Sequence, residues 1–493
     1  MKSNVLSTKH RTHPRGWDAG IPPSLRPLVR AYLFGYGFSV GPRVLSLLLH
    51  HLLKLSPRRK GTAQDDAAPS GKSQAPLLES LGKILRAGTQ LNRFPTFCAA
   101  LVGSSTLLEV RHDITITAQA FRNGSLLTSV SSWIACSTES IFSTAKEGHQ
   151  PAGQGSPASP EAIKPQAGRT LDLTLFAATR ALDVIIGELW SQRRVVRSPS
   201  ASRTTRTLDY LTSTLTDPLI FALTSGIVMW NWFYAPHALP RAYNKWIASA
   251  ASVDQRLIVA LQRVRAQIMR YGEDTGQAPL LQGMCEDFGW PTAWGDPAVS
   301  VPFPCEMVHM GVGPSCELHA LSRFLRAWAW SMRTYLPLQL VMFAARARGS
   351  KDLRRDFVRT LTSASRSSAF LGAFIALFYY GVCLTRTRVG PHVLGTSPGA
   401  RQRIDSGLCV GAGCLLCGWS VLLETAGRRK ELGLFVAPRA VATMLPRRYD
   451  ADRQWMEKMT FAASTAVVFT CVLENKRRVR GVLGSVLRMV LAA

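Results

Sequence analysis

The sequence predicts an all-α fold, a multi-pass bundle of transmembrane helices built from two related halves. The composition combines 46% hydrophobic residues with only 18% charged residues, below the roughly 25% that is usual for soluble proteins. Uncharged apolar runs recur along the chain, and runs of this length must be helices because open strand edges cannot face lipid. A short motif also occurs once in each half, which favours an internal repeat.

The chain divides into four parts by composition. Residues 1–76 form a basic N-terminal region that we expect to be partly disordered. Residues 77–250 form the first membrane helical half, and residues 346–493 form the second. Between them, residues 251–345 form a polar linker with a Cys-containing segment.

The apolar runs predict the membrane spans. Several are shorter than the ~20 residues that a helix needs to cross a bilayer, so flanking residues must complete them, and we expect about seven spans and up to about ten. Small residues recur four apart in these runs, which lets helix backbones approach closely. The uncharged runs are residues 94–108, 123–138, 218–237, 367–385, 406–423 and 459–473.

The charge balance indicates anionic partners. The chain has 59 Lys and Arg residues but 31 Asp and Glu residues, a net charge of +28. The basic residues lie in clusters between apolar runs, as at Arg354, Arg355 and Arg359. This placement favours the lipid bilayer and its anionic headgroups. We expect no nucleic-acid partner, because no motif interleaves basic and aromatic residues.

The repeated motif carries ionisable residues. Residues 175–181 and 434–440 share the pattern LF-x-A-x-R-A, with Arg180 and Arg439 at matching positions. Asp183 follows Arg180 by three residues, so both lie on one helical face. Because charges inside a bilayer usually face a cavity or a partner, one interpretation is a polar pathway or a lipid-headgroup site. The alternative is that both helices lie in the membrane interface, with their charges in water.

A Cys/His-bearing segment divides the two halves. Cys305, His309, Cys316 and His319 supply four soft or borderline ligands, which zinc takes tetrahedrally. The glycines between the two pairs permit a tight turn, although the spacing fits no standard zinc framework. A disulfide between Cys305 and Cys316 and a purely structural role are the alternatives. No nucleophile, phosphate-binding or dinucleotide motif stands where it should, so we expect no enzymatic activity and no required cofactor.

The same segment resembles the Cys-rich segment of the transmembrane protein 135 family, also called peroxisomal membrane protein 52. The similarity extends over residues 300–480 and, less closely, over residues 80–250. In animal members the segment stands at the N-terminus, whereas here it is central, which suggests a fungal-type member. The residues that carry the resemblance are Cys305, His309, Pro314-Ser315-Cys316 and Tyr335-Leu336-Pro337-Leu338.

The resemblance implies a multi-pass protein of mitochondria or peroxisomes, linked to mitochondrial dynamics and lipid metabolism. The family's halves look like the four-helix units of mitochondrial inner-membrane translocases. We therefore expect a non-enzymatic role in membrane and lipid homeostasis. One alternative is a transporter or channel for a small solute or lipid, through a cavity between the halves. Others are a translocase-like or scaffold subunit with membrane-protein partners, and a membrane enzyme that uses Cys305 and His309 on lipids.

Overall fold

The described residues are almost entirely helical, so the all-α class is confirmed. The strands among them, Gln166–Ala167 and Tyr449–Asp450, have two residues each. The predicted run 123–138 lies outside the described residues, as does part of the predicted N-terminal region. The computed structural model describes residues 18, 20–23, 25–55, 77–90, 93–113, 166–168, 170–196, 203–347, 352–474, 479 and 481–491.

The described helices are numbered in chain order. Those before the central linker are α1 (Arg26–Leu55), α2 (Leu77–Gly88), α3 (Phe94–Asp113), α4 (Leu171–Val196), α5 (Arg203–Tyr234) and α6 (Arg241–Ala251). Those that follow are α7 (Gln255–Arg265), α8 (Ala278–Phe288), α9 (Cys305–His309), α10 (Cys316–Ala347), α11 (Leu353–Leu384), α12 (Gly390–Leu394), α13 (Pro398–Arg403), α14 (Cys409–Cys417), α15 (Ala426–Met444), α16 (Gln454–Glu474) and α17 (Gly481–Leu491). Shorter 3₁₀ turns are Pro236–Ala238, Thr292–Gly295, Gly418–Leu423 and Ala451–Arg453, and π-helical turns are Thr385–Val389 and Ile404–Leu408.

The chain forms two compact units. The first takes its described residues from Met1–Arg169, Arg180–Trp190 and Asp450–Ala493, and the second comprises Thr170–Thr179 and Ser191–Tyr449. These boundaries differ from the predicted halves. The difference arises because α5 packs against α14 and α15 and because α10 of the linker packs against α11, which joins helices from both predicted halves in one unit.

Two helical stretches among the described residues are long and apolar enough to cross a membrane. They are Leu353–Leu394 and Pro398–Leu423, which contain the predicted runs 367–385 and 406–423. A third apolar helix, Phe94–Gly103, is shorter. Helix α5 is not among them, because Asp217 and the Asn, Pro, Trp and Tyr residues of the uncharged run that follows it lower the mean hydropathy of the helix. Further spans, and therefore the multi-pass bundle, stay predictions.

The core of the second unit depends on close helix contacts. Phe233 of α5 stacks on Phe378 of α11, with ring centroids 5.2 Å apart. A Cβ added at Gly381 would lie 2.9 Å from the Cα of Gly413, closer than two carbon atoms can pack. Gly381 and Gly413 therefore let the backbones of α11 and α14 touch.

A buried ion pair joins the ends of the two candidate spans. Arg386 Nε lies 2.7 Å from Asp405 Oδ1, and Arg386 Nη2 lies 2.8 Å from Asp405 Oδ2. The Tyr271 hydroxyl also donates to Asp405, and Arg386 Nη2 donates to the Phe303 carbonyl at 3.1 Å. The side chains of Arg386 and Asp405 are only 6% and 1% exposed. This bidentate pair therefore fixes the linker to both spans.

We expect the substitution Asp405→Asn to lower the free energy of unfolding by about 3–5 kcal/mol, because it leaves Arg386 buried without a counter-ion. The exposed pair of Arg270 and Glu273 supplies the control, and Glu273→Gln should cost less than about 1 kcal/mol. Denaturant unfolding of the full chain in detergent measures both values. Equal small losses in the two variants would show that the buried pair does not stabilise the fold.

Candidate metal centre and cavity

Three helices bring metal-ligating side chains together in the second unit. Helix α9 carries Cys305 and His309, which are one turn apart and so lie on one face. The chain then reverses at Met310, Gly311 and Gly313, all with positive φ, before Cys316 starts α10. The glycines adopt this backbone without strain, which gives the tight turn that the sequence predicts.

The fourth member of the group is Cys383, near the end of α11. One sulfur or nitrogen atom each from Cys305, His309, Cys316 and Cys383 lies within 4.8 Å of all the others. Cys305 Sγ is 3.9 Å from Cys316 Sγ, 3.6 Å from Cys383 Sγ and 3.4 Å from His309 Nε2. Tetrahedral zinc requires about 3.8 Å between sulfurs and about 3.5 Å between sulfur and nitrogen. These four side chains can therefore hold a metal ion such as zinc.

The His309 ring is oriented for ligation. Its Nδ1 donates a hydrogen bond to the Gly313 carbonyl, with the two atoms 2.6 Å apart. This bond fixes the proton on Nδ1 and leaves the Nε2 lone pair facing the three sulfurs. A backbone carbonyl in this position is a common second partner of metal-binding histidines.

The thiols differ in their readiness to bind a cation. The hydrogen bond with Cys383 lowers the pKa of Cys305 to about 4, against burial and with help from His309 and Arg386. Burial acts to lower the pKa of His309, but hydrogen bonds to Cys305 and the Gly313 carbonyl outweigh it and raise that pKa. Burial raises the pKa of Cys316. Cys305 is therefore the thiol that ionises most readily to the thiolate, the form that binds metal, and metal binding releases protons from the other thiols.

The structure does not contain the disulfide between Cys305 and Cys316 that the sequence leaves as an alternative. Both residues are free thiols, and their sulfurs are 3.9 Å apart, against about 2.05 Å in a disulfide bond. The third sulfur, from Cys383, also lies near both, which a simple disulfide does not require. The geometry is that of a ligand set rather than of a cross-link.

His319, the fourth ligand proposed from the sequence, does not join this group. Its ring stacks on His309 with centroids 4.5 Å apart and contacts the Tyr379 ring edge-on. Neither ring nitrogen has a hydrogen-bond partner among the described residues. Burial, together with the nearby guanidinium charge of Arg323, lowers the pKa of His319 to about 3. His319 is therefore a neutral ring whose stacking contact fixes the orientation of the His309 ring.

Sequence reasoning missed three residues around this site. Cys383 lies in an uncharged apolar run, where a cysteine is usually a small core residue. Arg386 and Asp405 lie at the ends of such runs and look like ordinary flanking charges. No signal in the local sequence distinguishes these residues, because only the folded helices bring them to the linker.

The residues of the predicted polar pathway fall in different units. Arg180 and Asp183 belong to the first unit and Arg439 to the second. Arg180 is buried and Asp183 is half-buried on α4. Arg439 Cζ lies 3.8 Å from the ring centroid of Phe435 and 5.3 Å from that of Tyr243. A pathway shared by Arg180 and Arg439 stays a prediction.

Arg439 lines a large cavity inside the second unit. The cavity has a volume of about 870 Å³, within the range of pockets that enclose a whole small-molecule ligand. Its walls come from the start of α4 and from α5, α6, α11 and α15, and most lining side chains are apolar or aromatic. The aromatic wall includes Phe221, Phe370 and Phe374, with Tyr243 and Arg439 also on the lining.

Comparison of the chain with models of protein families, with curated proteins and with solved structures finds no match. Membership of the transmembrane protein 135 family therefore stays a prediction.

The metal centre predicts which substitutions remove zinc. The native chain, purified without chelators, should carry about one zinc ion, and Cys383→Ser should lose most of it because only three ligands remain. His319→Gln should keep it, as should Cys285→Ser, which changes a buried thiol outside the group. Elemental analysis of the four proteins measures the zinc content. If His319→Gln loses the metal and Cys383→Ser keeps it, the ligand set is the one that the sequence suggests.

Proposed function

We propose that the chain is an integral membrane protein with a non-enzymatic role, and that a zinc ion stabilises its second unit. The observation that carries this proposal is the convergence of three thiols and one imidazole, from three helices, within 4.8 Å. Side chains so far apart in the sequence, with ligand-like distances, are explained most simply by a shared cation.

The number of ligands supports a structural role for the metal. Catalytic zinc sites keep one position open for water or substrate, whereas structural sites are closed by four protein ligands. Cys305, His309, Cys316 and Cys383 would fill all four positions. The pair of Cys305 and His309, the candidate for chemistry on lipids, would then be committed to the metal.

The setting that we propose is a mitochondrial or peroxisomal membrane, with a role in membrane and lipid homeostasis. Two apolar helices support membrane association, and the net charge of +28 favours anionic lipid headgroups as partners. The organelle and the lipid-related role rest on the resemblance to the transmembrane protein 135 family. The multi-pass bundle and membrane-protein partners belong to the same proposal.

A second candidate function is a carrier for a small solute or lipid. The observation that favours it is the cavity of about 870 Å³ in the second unit. The sequence suggested a cavity between two halves, whereas this one lies among helices of a single unit. A carrier additionally requires a second, alternately open state, so ligand binding is the part of this candidate that the cavity itself supports.

One experiment on native membranes tests the proposal. Membranes that contain the full chain are washed with alkaline carbonate, treated with a permeant zinc chelator and digested with trypsin. We expect the chain to stay with the membranes. Chelation should expose the arginines of residues 255–270 to trypsin, because loss of the metal frees the linker from α11 and increases local opening.

The two halves of the proposal fail separately. Release of the chain by carbonate would contradict the membrane assignment. Unchanged digestion after chelation would contradict a stabilising metal. The variant Cys383→Ser provides the matched control, since it should be digested rapidly without chelator, and added zinc should not protect it.

A further inference from the structure

The cavity of the second unit has a strongly aromatic wall. Phe221 of α5 contacts Phe370 and Phe374 of α11, with ring centroids 5.7 Å and 6.4 Å away, and all three face the cavity. Such a wall favours an apolar chain, which gains free energy with each methylene group that leaves water. The wall alone does not select the polar end of a ligand.

Charged groups on the lining supply that selection. Asp172 and Arg439 are the charged lining residues. Arg447 neutralises Asp172, because its Nη2 lies 3.7 Å from Asp172 Oδ1. The contacts of Arg439 among the described residues are different: it donates to the Phe435 carbonyl and lies over the rings of Phe435 and Tyr243. The lining therefore carries one cation that no described carboxylate neutralises.

We infer that this cavity binds a single-chain amphiphile with an anionic head, the head at Arg439 and the chain along the aromatic wall. The inference deepens the carrier candidate and rests on the proposed lipid-related role for the source of the ligand. A carboxylate and a phosphate share the required chemistry, since a guanidinium binds both through paired N–H groups.

Tyr243 adds a neutral donor beside the cation. Burial raises the pKa of Tyr243, so its hydroxyl keeps its proton and can donate to an anionic oxygen. No described residue accepts a hydrogen bond from this hydroxyl. A cationic head would instead face Arg439 at short range, and an uncharged head would gain nothing from it. The lining thus discriminates by charge at one end and by hydrophobicity along its length.

Photo-labelling of the full chain in phosphatidylcholine nanodiscs tests this inference. The probe is a long-chain fatty acid with a photoreactive group on its tail, and the competitors are oleate and oleyl alcohol, which differ in the charge of the head. We expect saturable labelling of peptides from α5 and α11. Oleate should compete at least about tenfold better than the alcohol, the advantage of a charge-assisted hydrogen bond.

Two variants and a matched control test whether Arg439 selects the anionic head and whether the ligand binds in this cavity. Arg439→Gln should remove the difference between the two competitors, a ratio that a general loss of folded protein does not change. Arg265→Gln removes another guanidinium that lies over aromatic rings but does not line the cavity, and it should leave the ratio unchanged. Ala250→Phe places a ring on the cavity lining and should abolish saturable labelling.

Three outcomes would overturn the inference. They are equal competition by oleate and the alcohol in the native chain, absence of saturable labelling, and inorganic phosphate displacing the probe as well as oleate does. Absence of saturable labelling is also the result expected if another part of the chain fills the cavity. Zinc content measured on the same samples separates this inference from the metal proposal, because labelling that persists in zinc-free protein would leave the cavity site standing.

Discussion

The buried pair of Arg386 and Asp405 is the interaction on which the second unit depends. The guanidinium of Arg386 donates to the carbonyl of Phe303, which lies two residues before Cys305. Arg386 itself lies three residues after Cys383. The pair therefore brings the linker to the end of α11, where these two sulfurs approach within 3.6 Å. A buried pair with both oxygens and several donors engaged compensates the cost of removing two charges from water. The metal centre follows from this anchor, because His309 follows Cys305 on α9 and the turn after α9 brings Cys316, the first residue of α10, back to the same point.

The sequence predicts the helical class and most of the metal centre. Apolar runs of helical length can only be helices in lipid, and the Cys305–His309 spacing places both side chains on one face. The glycines then allow Cys316 to return to the same point. His319 is attractive in the sequence because it is close to Cys316, yet it stacks on His309 instead. Cys383 provides the last sulfur and lies 67 positions after Cys316. No local pattern in the sequence predicts a contact between residues so far apart.

The compact units and the cavity depend on contacts of the same long range. The sequence suggests two halves separated by a linker, but the linker belongs to the second unit with α11 and α14, because its buried polar and thiol groups find their partners there. Arg439 is singled out by the repeated motif, and its place on the cavity lining comes from the packing of α15 against α5 and from its contact with Tyr243 of α6. Its environment is aromatic rather than aqueous. A helical motif predicts which face a residue occupies but not what lies opposite that face.

X-ray absorption at the zinc edge, recorded on the full chain purified in detergent, tests the central claim most directly. Three thiolates and one imidazole should give three sulfur neighbours at about 2.3 Å and one nitrogen neighbour at about 2.0 Å. This spectrum would show that Cys383 is the fourth ligand of the zinc ion. Two sulfur and two nitrogen neighbours would instead indicate Cys305, His309, Cys316 and His319, and would contradict the arrangement described for α11. A protein without zinc after metal-replete expression would contradict the metal centre itself.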